Sequence, residues 1–196
     1  GPAELTDARN LASVGRASLL TRIGIVDGDG NTAGPGVDGE VVIKGGLIMS
    51  GYLDMAELTA ETITDGWLHT GDGGVVDERG YLFLKDRLRD VIISGGFNVY
   101  PSDVEAAIVR HPAVHECVVF GIPDEKWGEA VQVAVQLKPD AGAGEDDIVA
   151  FSKRELGSVK APKRVHFYDD LPRSGVGKVL RREVRAKVLA AAEKNP

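Results

Sequence analysis

At 196 residues, 43% of them hydrophobic, the chain is long enough for one large domain or two small ones with a real core, which argues against disorder. Its formal charge is −7, yet residues 153–187 carry eleven Lys or Arg against four Asp or Glu, so that segment stands at +7 and the remainder at −14. The basic stretch has a single aromatic pair, Phe167-Tyr168, rather than stacking residues interleaved with its cations, and belongs to an acidic protein, which disfavours nucleic acid; a phosphorylated ligand or a plain solvated helix face remains.

In chain order, the first part reads as short strands between glycine turns, at residues 20–27, 39–44, 68–70, 74–77 and 81–85. Turns at 27–31 and 77–80 supply residues that tolerate positive φ, so hairpins are expected there. A single helix near 56–63 interrupts this mostly antiparallel β region. After Arg89 strands and helices alternate, and a boundary falls at 87–90. The first helix of the second unit starts at Ser102, where Ser102 and Glu105 have capping-box spacing and Val104, Ala107 and Ile108 form an apolar face. His111-Pro112 ends it. Strands follow at 116–121 and 130–137, the second alternating Val131, Val133, Val135 and Leu137. A helix at 145–156 opens with three acids, where the macrodipole favours them. A strand at 165–168 and a last helix carrying Leu180, Val184 and Val188 complete an α+β pattern.

A single cysteine, Cys117, leaves no internal disulfide framework. No apolar run approaches the roughly 20 residues a membrane-crossing helix needs, and no leader-like segment is seen, so a cytoplasmic setting is expected. The opening Gly1-Pro2 reads as a tag remnant.

Several motifs fail on their context. Gly34-Pro35-Gly36-Val37-Asp38-Gly39 spells a dinucleotide fingerprint, but a strand follows it where a helix N-terminus is required. Gly177-Lys178 resembles the end of a phosphate loop, yet Pro172 stands where its first glycine belongs and Val179 where Ser or Thr binds magnesium. His111, His115 and Cys117 lack a fourth ligand, and Pro112 keeps the two histidines off one helical face, so no metal site is expected. Ser94-Gly95-Gly96 lacks the spacing of a hydrolase elbow.

Four segments carry more. Gly66-Trp67-Leu68-His69-Thr70-Gly71-Asp72 is followed by Asp86-Arg87-Leu88-Arg89-Asp90, then Ser94-Gly95-Gly96-Phe97-Asn98-Val99-Tyr100-Pro101, and finally Leu171-Pro172-Arg173-Ser174-Gly175-Val176-Gly177-Lys178. Together they resemble the late motifs of the adenylate-forming superfamily: acyl-CoA synthetases, luciferases and carrier-protein adenylation domains. The resemblance implies residues 1–86 as the β-rich, barrel-like end of a large adenylation domain, 87–90 as a hinge, and 91–196 as a small mobile α+β domain.

It further implies roles, residue by residue. Asp72 would accept hydrogen bonds from both ribose hydroxyls of ATP or the acyl-adenylate, a task suited to an ionised carboxylate; alone it would read as a turn aspartate. Arg87 would reach ribose and phosphate, and Arg89 would be the hinge residue whose torsions change, where relatives have Asp or Lys; otherwise 86–90 is a charged linker. Gly95 and Gly96 would line a pantetheine tunnel where backbone passes close to a ligand, or form a plain turn. Lys178 would contact the substrate carboxylate and the α-phosphate during adenylation. Trp127 and Lys163 would meet the CoA nucleotide by stacking and charge pairing, or be a half-buried core tryptophan and a surface lysine.

The function so implied is ATP-dependent carboxylate:CoA ligation through an acyl-adenylate and then a thioester, with a fatty acid as first-choice carboxylate. The small molecules are the carboxylate, MgATP and CoA, with magnesium held mainly by an upstream part of which Glu4 would be a remnant. The chain alone is expected to be inactive, and a homo-oligomer is allowed. Alternatives are a ligase loading a carrier-protein pantetheine, a non-catalytic module retaining the small-domain fold, and a light-emitting oxygenase.

Overall fold

The computed structural model describes residues 7–194; Glu4 and the Gly1-Pro2 pair lie outside them. The chain divides into two compact units between Arg89 and Asp90.

The first unit is built on β1 (Thr21–Val26), β2 (Gly39–Gly45), α1 (Ala56–Thr62), β3 (Ile63–Thr64), β4 (Trp67–Val76) and β5 (Leu82–Arg87). Its sheet is antiparallel and curls as a half-barrel: β1 pairs β2, β2 pairs β4, and the far edge of β4 is shared by β3 and β5. Ile25, Val41 and Leu82 form its buried core. The strands expected at 68–70 and 74–77 are one strand, because a bulge rather than a turn accommodates Gly71 (φ +70°) and shifts the register on both sides of β4. The 77–80 turn joins β4 to β5 as expected: Asp77 Oδ1 accepts from the Arg79 and Tyr81 amides at 2.9 Å each.

The second unit holds β6 (Ile92–Ser94), β7 (Phe97–Val99), α2 (Pro101–Ile108), β8 (Val114–Asp124), β9 (Gly128–Leu137), α3 (Glu145–Lys160), β10 (Arg164–Phe167) and α4 (Arg181–Lys194). β9 is central, with β8 antiparallel along one edge and both β10, running parallel, and β6 on the other; β7 closes the β6 side. On one face Val119, Val131, Val133 and Val135 pack with Val104 and Ile108 of α2 and Ile148 of α3. On the other, Val118, Phe120 and Ala134 pack with Val184 and Val188 of α4. The continuous apolar run Cys117-Val118-Val119-Phe120 follows from this: β8 is covered on both faces, so successive side chains are all buried. Burial, with the Glu105 and Glu116 charges adding, pushes the Cys117 thiol up to about 12.

One expectation is corrected here. The first helix begins at Pro101 with Tyr100 at its N-cap, so the proline fills N1, where its missing N–H costs nothing. Glu105 does not close a capping box. Its Oε1 accepts instead from the Val119 amide at 2.7 Å and from Arg181 Nη2 at 2.9 Å. The helix expected at 145–156 is regular to Leu156, where Gly157 (φ +76°, ψ 171°) breaks it, and one further turn reaches Lys160. At its start the Asp147 carboxylate accepts from the Gly144 amide at 2.9 Å.

Candidate active site

In the first unit, the bulged segment of β4 presents Asp72 opposite Arg87 at the end of β5. Arg87 Nε lies 2.7 Å from Asp72 Oδ1, and Arg87 Nη1 donates to the Thr70 carbonyl at 3.2 Å. The two residues singled out for one nucleotide thus meet as a cross-strand ion pair, with Arg87 half exposed (52% of its side chain), so ribose hydroxyls and phosphate could reach both. Beneath them, Thr70 Oγ1 donates to the Val41 carbonyl at 2.7 Å and accepts from the Asp72 amide at 3.1 Å.

The sequence reading missed Glu40, which supports this segment. Its Oε1 accepts from the Gly71 amide at 3.0 Å, and its Oε2 lies 2.7 Å from His69 Nδ1. One carboxylate therefore fixes the residues on either side of Thr70. The available signal was an acid opening the apolar strand Val41-Val42-Ile43. Arg89 is exposed on a 3₁₀ turn, Leu88–Asp90, that follows β5.

In the second unit, Gly95 and Gly96 form the two-residue turn between β6 and β7, with φ of +59° and +81°. Two successive positive φ values match the twist of a tight hairpin and suit glycine at both positions. Trp127 stands against this turn. It lies in the short loop between β8 and β9, where Asp124 Oδ1 accepts from the Lys126 and Trp127 amides at 2.9 Å each, and its carbonyl accepts from the Gly95 amide at 2.8 Å. Lys163 Nζ lies 4.4 Å from the Trp127 ring centroid. Gly95, Trp127 and Lys163, far apart in sequence, are therefore one cluster.

A β-carbon on Gly95 would stand 3.2 and 3.3 Å from Trp127 Cε3 and Cζ3, whereas one on Gly96 would meet nothing within 4 Å. Both substitutions carry the left-handed backbone cost of about 1–2 kcal/mol. We expect Gly95→Ala to disturb the indole as well, and Gly96→Ala to leave it in place. Near-ultraviolet circular dichroism checks this; equal spectra for the two variants would contradict it.

Lys178 sits on a hairpin loop that leads into α4. An isolated bridge joins Arg173 to Val179; the Ser174 amide donates to the Lys178 carbonyl and the Gly177 amide to the Ser174 carbonyl, both at 2.8 Å. The base of the loop is tied down by charge. Arg173 pairs with Glu116 of β8, while Arg181 pairs with Asp90 at 3.4 Å and Glu105 at 2.9 Å. Lys178 itself is exposed, and its ammonium has no hydrogen-bond or ion-pair partner among the described residues. The anchoring roles of Glu116, Glu105 and Arg181 were not visible in the sequence, because each depends on contacts across tens of residues.

Among the described residues no group of three or more His, Cys, Asp or Glu side chains could hold a metal ion.

Residues 103–178 match the AMP-binding enzyme C-terminal domain. Over 188 residues the chain is 42% identical to a medium/long-chain-fatty-acid–CoA ligase of Mycobacterium tuberculosis, covering 92% of this chain and 33% of that protein. It is 45% identical over 161 residues to a fatty acid–[acyl-carrier-protein] ligase of Streptomyces coeruleorubidus, covering 82% of this chain and 31% of that protein. Its fold matches ATP-bound MatB from Rhodopseudomonas palustris with a TM-score of 0.85 at 35% identity, over 90% of this chain and 35% of that one. The chain thus spans about a third of the length of the curated relatives it matches. It belongs to the adenylate-forming enzymes and corresponds to their C-terminal part.

Proposed function

We propose that the whole protein is an ATP-dependent carboxylate:CoA ligase, with a fatty acid as its carboxylate. In the first half-reaction a carboxylate oxygen attacks the α-phosphorus of ATP, the bond to pyrophosphate breaks, and an acyl-adenylate forms. In the second, the thiol sulfur of CoA attacks the acyl carbon, AMP leaves with the electron pair of the broken C–O bond, and the thiol proton is released to solvent.

Asp72 takes the ribose hydroxyls, and Arg87, turning from Asp72, serves ribose and phosphate. Lys178 balances charge as carboxylate oxygen approaches phosphorus, since the transition state spreads negative charge over the phosphoryl oxygens. The Gly95-Gly96 turn and Trp127 serve CoA in the second step, Lys163 belongs to the same cluster, and rotation at 87–90 with a torsional change at Arg89 switches between the two poses. The observation that carries this reading is the Lys178 loop: its flanking arginines are consumed in ion pairs, while its lysine is held out in solvent.

The test is AMP release by the full-length protein with a panel of carboxylates, with and without CoA. CoA-dependent turnover with fatty acids is expected. Adenylate formation without CoA stimulation, rescued by a pantetheinylated carrier protein, would instead support the second reading, which the similarity to a carrier-protein ligase favours. No ATP consumption with any acid would defeat both.

A further inference from the structure

Lys163 carries a positive charge in the cluster just assigned to CoA, and an anion partner is the obvious role for it. Its surroundings point elsewhere. An ammonium has three protons, and here each meets a backbone carbonyl: Ser158 at 2.7 Å, Val159 at 2.9 Å and Ala161 at 2.8 Å. These carbonyls lie on the single turn beyond the Gly157 break, where the chain leaves the helix and its C=O groups are open to a side-chain donor. A phosphate oxygen could bind Nζ only by displacing one of them.

The same ammonium faces the Trp127 ring at 4.4 Å, a cation–π distance, with Lys126 Nζ farther off at 5.4 Å. Burial, with the nearby Lys153 charge adding and Asp124 opposing, lowers the pKa of Lys163. That is the signature of a cation drawn in from solvent. The missing β-carbon of Gly95 leaves room for the Cε3–Cζ3 edge of the indole, and its amide donates to the Trp127 carbonyl. The ring is thus located by three parts of the fold: the β6–β7 turn, its own loop, and the end of α3 acting through Lys163.

We infer that Lys163 is a positioning residue, which fixes the Trp127 indole beside the Gly95-Gly96 turn by tying it to the end of α3, and acts on CoA through that ring without touching phosphate. This rests on the reading that Trp127 and the turn serve CoA. It separates Lys163 from surface cations that pair with ligand charge. Three converging carbonyls suit a compact ammonium and not a planar guanidinium, whereas a phosphate would accept either.

The experiment uses Lys163→Met and Lys163→Arg in two settings. In the present chain carrying Trp67→Phe, Trp127 is the only tryptophan, and both variants are expected to increase acrylamide quenching of its emission. In the full-length protein both should raise KM about tenfold for CoA and for dephospho-CoA alike, the effect of spoiling one stacking partner. Adenylate formation should be unchanged, and Lys163→Met on top of Trp127→Ala should add nothing. A penalty confined to CoA, with activity kept in Lys163→Arg, would show direct phosphate contact and overturn the inference, as would unchanged quenching. If Trp127→Ala leaves the CoA dependence intact while quenching still rises in both Lys163 variants, the CoA reading of the site fails and the positioning of the ring stands.

Discussion

Lys178→Ala in the full-length protein is expected to slow acyl-adenylate formation by about a hundred- to thousandfold, corresponding to about 3–4 kcal/mol of transition-state stabilisation. The expectation follows from where the charge stands. Arg173 and Arg181 are held by carboxylates at the base of the loop, so neither is available to replace a lost Lys178 ammonium. A side chain that meets its partner only as the transition state forms affects the rate more than substrate binding. Transfer from a chemically supplied acyl-adenylate to CoA should therefore stay within a few-fold of wild type. Folding should be nearly untouched, because exposed substitutions away from special features fall within about 0.5 kcal/mol. Pyrophosphate exchange measures the first half-reaction, and thioester formation from the supplied adenylate the second. Equal losses in both would refute the assignment, and so would a first-step loss below tenfold.

Much of the architecture was legible because local signals and tertiary structure agree. The alternating valines of β9 turn one face toward α2 and α3, and the acids at the start of α3 mark its N-terminus. Elsewhere a strong local signal yielded to a distant partner. Ser102 and Glu105 have capping-box spacing, but Glu105 is claimed by the Val119 amide and Arg181, 14 and 76 residues away. The β6–β7 hairpin escaped notice because each strand is three residues long, too short to show a period. At the candidate site, glycine-rich motifs drew attention to Asp72, the Gly95-Gly96 turn and Lys178. The supporting residues Glu40, Glu116 and Arg181 stayed hidden because each looks like an ordinary surface charge until the fold brings its partner near.

Phe120→Ala is expected to lower the unfolding free energy by about 3–5 kcal/mol, the cost of removing a large aromatic side chain from a packed interior. Phe120 is 1% exposed and belongs to the cluster that seats α4 on the sheet, with Val184 and Val188 from the helix and Leu171 and Val179 on either side of the Lys178 loop. His166 stacks on it at 6.2 Å with an interplanar angle of 25°, so the truncation also removes a ring contact. Urea unfolding should show a lower midpoint with an unchanged slope, the sign of altered stability at constant exposed surface. Val176→Ala is the control: that side chain is 83% exposed on the same loop and should shift stability by less than about 0.5 kcal/mol. A Phe120→Ala cost below about 1.5 kcal/mol would mean the cluster relaxes into the space. The full cost would show that one packed core fastens both α4 and the residues flanking the Lys178 loop to the sheet.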